Sequence, residues 1–342
     1  MVFTVRDVAE WVQGEVVGDP GRVIRAAKPL SDSPGADEIT VVLDEKYLSQ
    51  FHASDAGAAV VDQSVPLNGR TLVRVKDPLM AFVTIVQKLH VKPAPGWVGI
   101  HPTAVIHPTA KVGADASIGP HVTIGEGSVV GARCRLQPGA TIGAHCKLGD
   151  DVAFGPQVVV YDGCIVGSRV IIHANAVIGA DGFGFRLVQG RHLKVPQVGN
   201  VEIGDDVEIG ACTTIDRATF GTTRIGTGTK IDNHVQIAHN CQIGRHNVIA
   251  ALCGIAGSVV TGDYVAMGGQ VGIVDHCRIG DRTQLGAKSG VHKDIPADQK
   301  MLGAPAIPAT DQLRVMTSLE KLPEIRKDVR LIKKHLGLAD SG

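Results

Sequence analysis

The sequence predicts a mainly β fold, a parallel solenoid of short strands flanked by a small N-terminal α/β domain and by C-terminal helices. Three observations carry this reading: an apolar residue at every sixth position through the middle of the chain, the lack of that beat before residue 100, and helical spacing of apolar residues after Pro308. The beat runs from Ile100 through Ile106, Val112 and Ile118 to Ile178 without a miss and resumes at Ile203, Ile209 and Ile215. It restarts four residues out of phase at Ile225 and continues to Val291, with Thr261 as its one polar member. A period of six matches neither the 3.6 of a helix nor the 2 of a lone strand, whereas a solenoid gives each hexad one short strand and one turn.

Within a hexad such as Ile124-Gly125-Glu126-Gly127-Ser128-Val129, the first residue is read as the large inward plug, the second as the small residue of the tight corner, and the fifth as a smaller inward position. Three sides close a coil of 18 residues. The 29 hexads build nearly ten coils, stacked at the strand spacing of ~4.8 Å into a rod of about 45 Å. Such a rod resembles the left-handed parallel β-helix of the hexapeptide-repeat acyltransferases, and the left hand is implied by that resemblance.

Six of the seven cysteines, Cys134, Cys146, Cys164, Cys241, Cys253 and Cys277, fall at the fifth position, where they act as small buried apolar residues; Cys212 does not. With no CxxC and nothing like a secretory leader, a reducing cytoplasm is the expected compartment. The apolar stretches are too short to span a bilayer, and no stable membrane insertion is expected. A net charge of zero, 34 basic against 34 acidic residues, goes with no nucleic-acid partner.

Residues 1–99 form the expected α/β domain. It opens with a short strand and an amphipathic helix in Phe3-Thr4-Val5-Arg6-Asp7-Val8-Ala9-Glu10-Trp11-Val12. Strands are expected at Ala58–Val61 and Thr71–Val75, a helix at Pro78–Leu89, and a linker at Lys92-Pro93-Ala94-Pro95-Gly96. The solenoid covers 100–307, interrupted at 180–200 by a segment that carries Asp181-Gly182-Phe183-Gly184-Phe185 and is expected to project as a loop. In 308–342, Leu313, Met316, Leu319, Ile325, Val329, Ile332 and Leu336 form a helical stripe that Pro323 begins anew or kinks. Seven basic against three acidic residues between Leu313 and His335 suit an acidic partner, or the solvated face of an oligomerisation helix.

Fourteen histidines are present, most of them at the second or fourth, outward position of a hexad. His239 alone sits at the third. The residue 18 further on is Gly257, one coil away, where a side-chain-free backbone amide can approach a reacting carbonyl beside an imidazole that accepts a proton. His239 as general base and the Gly257 amide as oxyanion donor are the minimal apparatus for acyl transfer. Asp275 continues the column, and His276, two coils from His239, is placed to bind a distal group such as a phosphate or a pantetheine.

The runs Asp181–Phe185, Ile209-Gly210-Ala211-Cys212-Thr213-Thr214-Ile215-Asp216-Arg217, Ile231-Asp232-Asn233-His234-Val235-Gln236-Ile237-Ala238-His239-Asn240 and Gly254-Ile255-Ala256-Gly257-Ser258 resemble the motifs of the UDP-3-O-(3-hydroxyacyl)glucosamine N-acyltransferases of lipid A biosynthesis. That resemblance implies a homotrimer that moves a 3-hydroxyacyl chain from acyl carrier protein to the 2-amine of a UDP-linked glucosamine. Asp232 would orient His239 or the sugar, and Asn233, Asn240, Phe183 and Phe185 would serve substrate binding. No cofactor or metal is implied beyond the carrier's phosphopantetheine thioester. In the family, uridine is bound by a segment of the form Phe-Leu-x-Asn-x-Lys-Tyr. Here Lys46 and Tyr47 match, while Val41 and Asp44 stand where the family has Phe and Asn. A different nucleotide-linked amino sugar therefore stays open as the acceptor. A zinc carbonic anhydrase built on the same repeat and a non-catalytic trimeric scaffold are the competing classes.

Overall fold

The computed structural model describes residues 2–66, 69–89, 98–303 and 309–338, with the side chains of 309–313 excepted. The expected linker Lys92–Gly96 lies outside them. The chain divides into two compact units, Met1–Gly96 and Trp97–Gly342.

In the first unit, five strands order as Glu15–Val17, Leu72–Val75, Ala58–Asp62, Glu38–Val41 and Ala26–Ala27, with only the first pair antiparallel. The helix Val5–Val12 starts where the sequence places it because Thr4 and Asp7 cap each other: the Asp7 carboxylate accepts the Thr4 N–H at 2.6 Å and the Thr4 hydroxyl accepts the Asp7 N–H at 3.3 Å. This helix and Pro78–Leu89 contribute Val5, Val8 and Ile85 to a core that includes Ile24, Ile39, Val60 and Val73 from the strands.

The second unit is a parallel β-solenoid. Two-residue strands recur every six positions and assemble into three sheets of ten, ten and nine strands, one for each side of a prism. Plug stacks on plug: Ile124 pairs with Ile142, Leu136 with Phe154 and Ile237 with Ile255. The plugs and the fifth-position residues together form one continuous core. All six fifth-position cysteines are buried in it, and burial pushes the Cys164 and Cys241 thiols up to about 11 and about 12.

The turn chemistry differs from the expectation in one respect. The left-handed conformation belongs to the fourth residue of the hexad, occupied by His121, Arg133, His145, Asp151, His234, His246 and His276 among others, at φ of 55–61°. The second position is small for a different reason. A Cβ on Gly125 would lie 2.6 Å from the backbone of Gly143, because successive corners nearly touch. Histidine, asparagine and aspartate tolerate left-handed backbone better than most residues, which accounts for five outward histidines without a ligand.

Both interruptions leave the prism at one corner. The first departs after the strand Val177–Ala180 and returns at Asn200–Ile203. The second departs after Thr214–Asp216 and returns at Thr222–Ile225, in the coil immediately following. The first is a β-hairpin rather than an unstructured loop: Phe185–Val188 pairs antiparallel with Arg191–Lys194, and Gln189 and Gly190 both adopt the positive φ that a two-residue hairpin turn requires.

Ala309–His335 is one helix with Pro323 inside it, so Pro323 does not begin a second segment. Its apolar residues Met316, Leu319, Ile325, Val329 and Ile332 are exposed.

The one polar plug is accommodated by hydrogen bonds. Thr261 Oγ1 accepts from the Gly244 N–H at 3.0 Å, a donor that in neighbouring coils goes to the plug carbonyl, and from Asn247 Nδ2 at 2.7 Å. Asn247, fully buried, accepts the Val265 N–H at 2.6 Å. Asn247→Ala strands these groups and should destabilise by about 2–4 kcal/mol in denaturant unfolding. Replacing both residues, as Asn247→Val/Thr261→Val, lets Gly244 pair with the plug carbonyl again and leaves only the Val265 N–H without its acceptor, so this double variant should recover part of the loss. A double variant as unstable as Asn247→Ala would show that the polar pair is not the source of the effect.

Candidate active site

His239 and Asn240 occupy the corner that carries both interruptions, one coil beyond Asp216. His239 is half-buried. Its ring lies across Gly257 of the next coil: a Cβ there would sit 2.6 Å from Cε1 and 2.8 Å from Nε2. On its other side is Gly182 of the hairpin insertion, where a Cβ would come within 2.7 Å of the His239 Cβ. Both glycines are required by close approach to the imidazole.

The protonation of the ring follows from its neighbours. Asn240 Nδ2 donates to the Phe220 carbonyl at 2.9 Å, so Asn240 Oδ1 faces the Thr219 N–H at 3.0 Å and His239 Nδ1 at 3.1 Å. An amide oxygen only accepts; Nδ1 therefore carries the proton and Nε2 presents its lone pair on the Gly257 side.

The Gly257 amide stands apart among the third-position residues that have an aspartate stacked on them in the next coil. Ala132, Ala144, Ser168, Arg245 and Asp263 each give that N–H to the aspartate stacked on them in the next coil. Gly257 has Asp275 stacked on it, yet its N–H has no acceptor among the described residues. An unpaired amide beside a basic nitrogen is suited to receive negative charge developing on an oxygen.

Beside this pair runs a groove of about 850 Å³, mostly apolar, on the outer face of one sheet. Its floor is the stacked row Gln236, Gly254, Gly272 and Gly290. A Cβ at Gly254 or Gly272 would meet nothing within 4 Å, so these glycines keep a trough open rather than avoid a clash. Its rim includes Ala238 and Ala256, which precede His239 and Gly257, and the insertion residues Asp181, Gly182, Phe183, Phe185 and Lys194. The two Phe rings pack edge to face at 5.2 Å, Asp181 pairs with Lys194, and Phe183 remains 85% exposed.

Asp216, to which the sequence reading gave no role, also faces the groove. It is 8% exposed, and Oδ2 accepts from Gln236 Nε2 at 3.0 Å, while Gln236 Oε1 takes the Thr214 hydroxyl proton. Burial raises its carboxyl above the ordinary value, offset in part by the Gln236 hydrogen bond and by His239. The signal was its position 22 residues before Ala238, across the four-residue phase break.

Other expected site residues lie elsewhere. Asp232 does not reach His239, which is a correction. Six residues are one side of the prism, so Asp232 sits at the preceding corner, its oxygens accepting the Asn233 N–H at 2.7 Å and the Ala251 N–H at 3.1 Å. The residue that orients Nδ1 is Asn240, whose side-chain oxygen also accepts the Thr219 N–H. Asn233 Oδ1 accepts the Ala211 N–H at 2.6 Å and lines a second recess with Asp232, His173 and Lys230. His276 is exposed, 3.9 Å from Asp275, and does not line the groove. In the first unit, Lys46 pairs with Asp44 at 3.0 Å and stands 5.0 Å over the Tyr47 ring, in a turn that Asp44 caps. Among the described residues no group of three His, Cys, Asp or Glu is arranged to hold a metal.

The family model described as bacterial transferase hexapeptide (six repeats) matches residues 109–144, 145–180 and 222–257. Over 98% of its length the chain is 44% identical to the UDP-3-O-acylglucosamine N-acyltransferase of Anaeromyxobacter sp. (strain K), covering 96% of that protein. The chain belongs to the UDP-3-O-acylglucosamine N-acyltransferase family. It is also 56% identical over 142 residues to the member from Methylobacterium sp. (strain 4-46), an alignment that spans 42% of this chain and 40% of that protein. A solved UDP-N-acetylglucosamine acyltransferase of Arabidopsis is similar at 28% identity, covering 60% of this chain and 71% of its own, with a TM-score of 0.49. Among the described residues no helix is long and apolar enough to cross a membrane.

A raised carboxyl pKa favours the folded state only while the group is protonated, so wild type loses this contribution as pH rises from 3.8 through the folded-state value. Asp216→Asn should therefore gain melting temperature relative to wild type, by more at about pH 7 than at about pH 3.5. Equal differences at both pH values would mean that Asp216 ionises at no cost.

Proposed function

We propose that this chain is an acyl-carrier-protein-dependent N-acyltransferase that moves a 3-hydroxyacyl chain to the 2-amine of a UDP-3-O-acylglucosamine in lipid A biosynthesis. The observation that carries the reading is the His239 imidazole packed across Gly257, whose amide is unpartnered among the described residues, beside an apolar trough. The neutral amine attacks the thioester carbonyl and the C–N bond forms. Nε2 accepts the amine proton while the carbonyl oxygen, now an anion, takes the Gly257 N–H. The intermediate then collapses, the C–S bond breaks and the proton passes to the leaving pantetheine sulfur. No protein thiol serves as nucleophile in this scheme: the thiol next to the site, Cys241, is buried and holds its proton to about 12.

The glycine floor supports a long acyl chain as the occupant of the trough, since three successive outward positions without side chains extend from Gln236 to Gly290. Lys46 and Tyr47 would hold the uridine, with Asp44 biasing the lysine towards itself. Arg326, Lys327, Arg330, Lys333 and Lys334 gather along a recess on the C-terminal helix and give an acidic carrier protein a surface of opposite charge. The working form in this reading is a homotrimer in the cytoplasm, with no bound cofactor.

His239→Ala should lower kcat by about 10²–10⁴-fold without changing the oligomeric state seen by light scattering, and Gly257→Ala should do likewise by driving a methyl into the ring. Turnover of either variant within a few-fold of wild type, assayed with 3-hydroxyacyl carrier protein and UDP-3-O-acylglucosamine, would remove the general-base reading.

Gly272→Val places a branched side chain in the middle of the trough. It should abolish transfer from long-chain donors while sparing short ones; an unchanged chain-length profile would place the acyl chain elsewhere.

A further inference from the structure

The hydrogen bonds that orient His239 do not end at Asn240. Thr219, whose N–H meets Asn240 Oδ1, belongs to the four-residue interruption, and its hydroxyl donates to Gln197 Oε1 at 2.9 Å. Gln197 comes from the returning arm of the hairpin insertion and is 6% exposed. Its own amide is oriented by donation from Nε2 to the Val195 carbonyl at 3.0 Å, so the oxygen is the atom that faces Thr219. The backbones of the two interruptions are docked as well: the Val198 N–H donates to the Thr219 carbonyl and the Gly199 N–H to the Ala218 carbonyl, both at 3.0 Å. Gly182 closes the arrangement, since a Cβ there would strike both the His239 side chain and Gln197 Oε1.

We infer that the hairpin insertion is part of the apparatus that holds the imidazole, with Gln197 as a positioning residue acting through Thr219 and Asn240 to keep His239 protonated on Nδ1 and basic on Nε2. The inference rests on His239 being the base. Gln197 does not itself line the trough, though it packs behind the rim residue Gly182. Its effect is on the fraction of imidazole in the productive tautomer and on the ring's placement over Gly257, and both act on the chemical step rather than on substrate affinity.

The test uses the full chain labelled with ¹⁵N-histidine, comparing wild type with Gln197→Met, which keeps the volume and removes both polar atoms, and with Thr219→Val. Wild type should show the Nδ1–H tautomer for His239, assigned by loss of the signal in His239→Ala. Each variant should show a mixture of tautomers, and kcat should fall about 10–100-fold with KM for both substrates within about twofold. The double variant should be no worse than the poorer single one. If Gln197→Met fails to fold, Thr219→Val alone decides. An Nε2–H tautomer in wild type, unchanged tautomer and kcat in a folded variant, or a rise in KM at constant kcat would overturn the inference. Because the tautomer is read without substrate, it is separable from the acyl-transfer reading, which falls if His239→Ala or Gly257→Ala stays active.

Discussion

Everything in the second unit depends on the parallel pairing of each strand with the strand one coil away. Two-residue strands have too few hydrogen bonds to be stable alone, and a single prism side cannot bury its plug; stacking supplies both the backbone partners and the closed core. The constraint is one of register. Paired residues are 18 apart in most of the solenoid, 37 apart across the first interruption and 22 apart across the second, yet plug still meets plug in each case: Val166 with Ile203, Ile209 with Ile231, Ile225 with Ile243. The added 19 and 4 residues are therefore excursions that leave and rejoin the same corner without shifting the core.

That corner is where the repeat stops being repetitive. Stacked on it are the hairpin insertion, the Arg217–Gly221 excursion, His239 with Asn240, and Gly257. Elsewhere the corners are closed by internal pairs, such as the bidentate Arg133–Asp151 contact, the two Arg245 donors on one Asp263 oxygen and the stacked rings of His246 and Tyr264. At the site the same positions are left open: an amide without its aspartate, a sheet face without side chains, a carboxylate buried at a cost to stability. A scaffold of ten coils in one cooperative core can tolerate several such departures because each affects only its neighbouring coils.

The sequence made the prism, the buried cysteines and the His239–Gly257 stack legible for one reason: all three follow from counting in sixes and eighteens. The resemblance, not the count, gave Asp232 its role beside His239 or the sugar; the count alone puts residues six apart on different sides of the prism, and Asp232 lies one corner before His239. Asp216 and Gln197 were missed because each is brought to His239 across an interruption, where the interval is no longer 18. Even so, the breaks themselves pointed to the corner. Ile178, Ile215, Ile237 and Ile255 belong to one side of successive coils, so both insertions could be stacked over His239 from the hexad count alone. What the count could not give was the hairpin's hydrogen bonding or the orientation of two amide side chains.

The left-handed fourth position explains why histidine number was a poor guide and histidine position a good one. A turn that demands positive φ recruits Asn, Asp, His and Gly for backbone reasons, so an outward histidine there says little about chemistry. The third position imposes no such demand and in many coils is used to cap the next corner. A histidine at that place gives up the cap, and Asn240, in the left-handed slot beside it at φ 62°, takes over the pairing of the corner while presenting its oxygen to Nδ1. The base and its orienting group thus occupy adjacent residues of one turn. The geometry of the repeat fixes one of them, and the two insertions, through Thr219 and Gln197, fix the other.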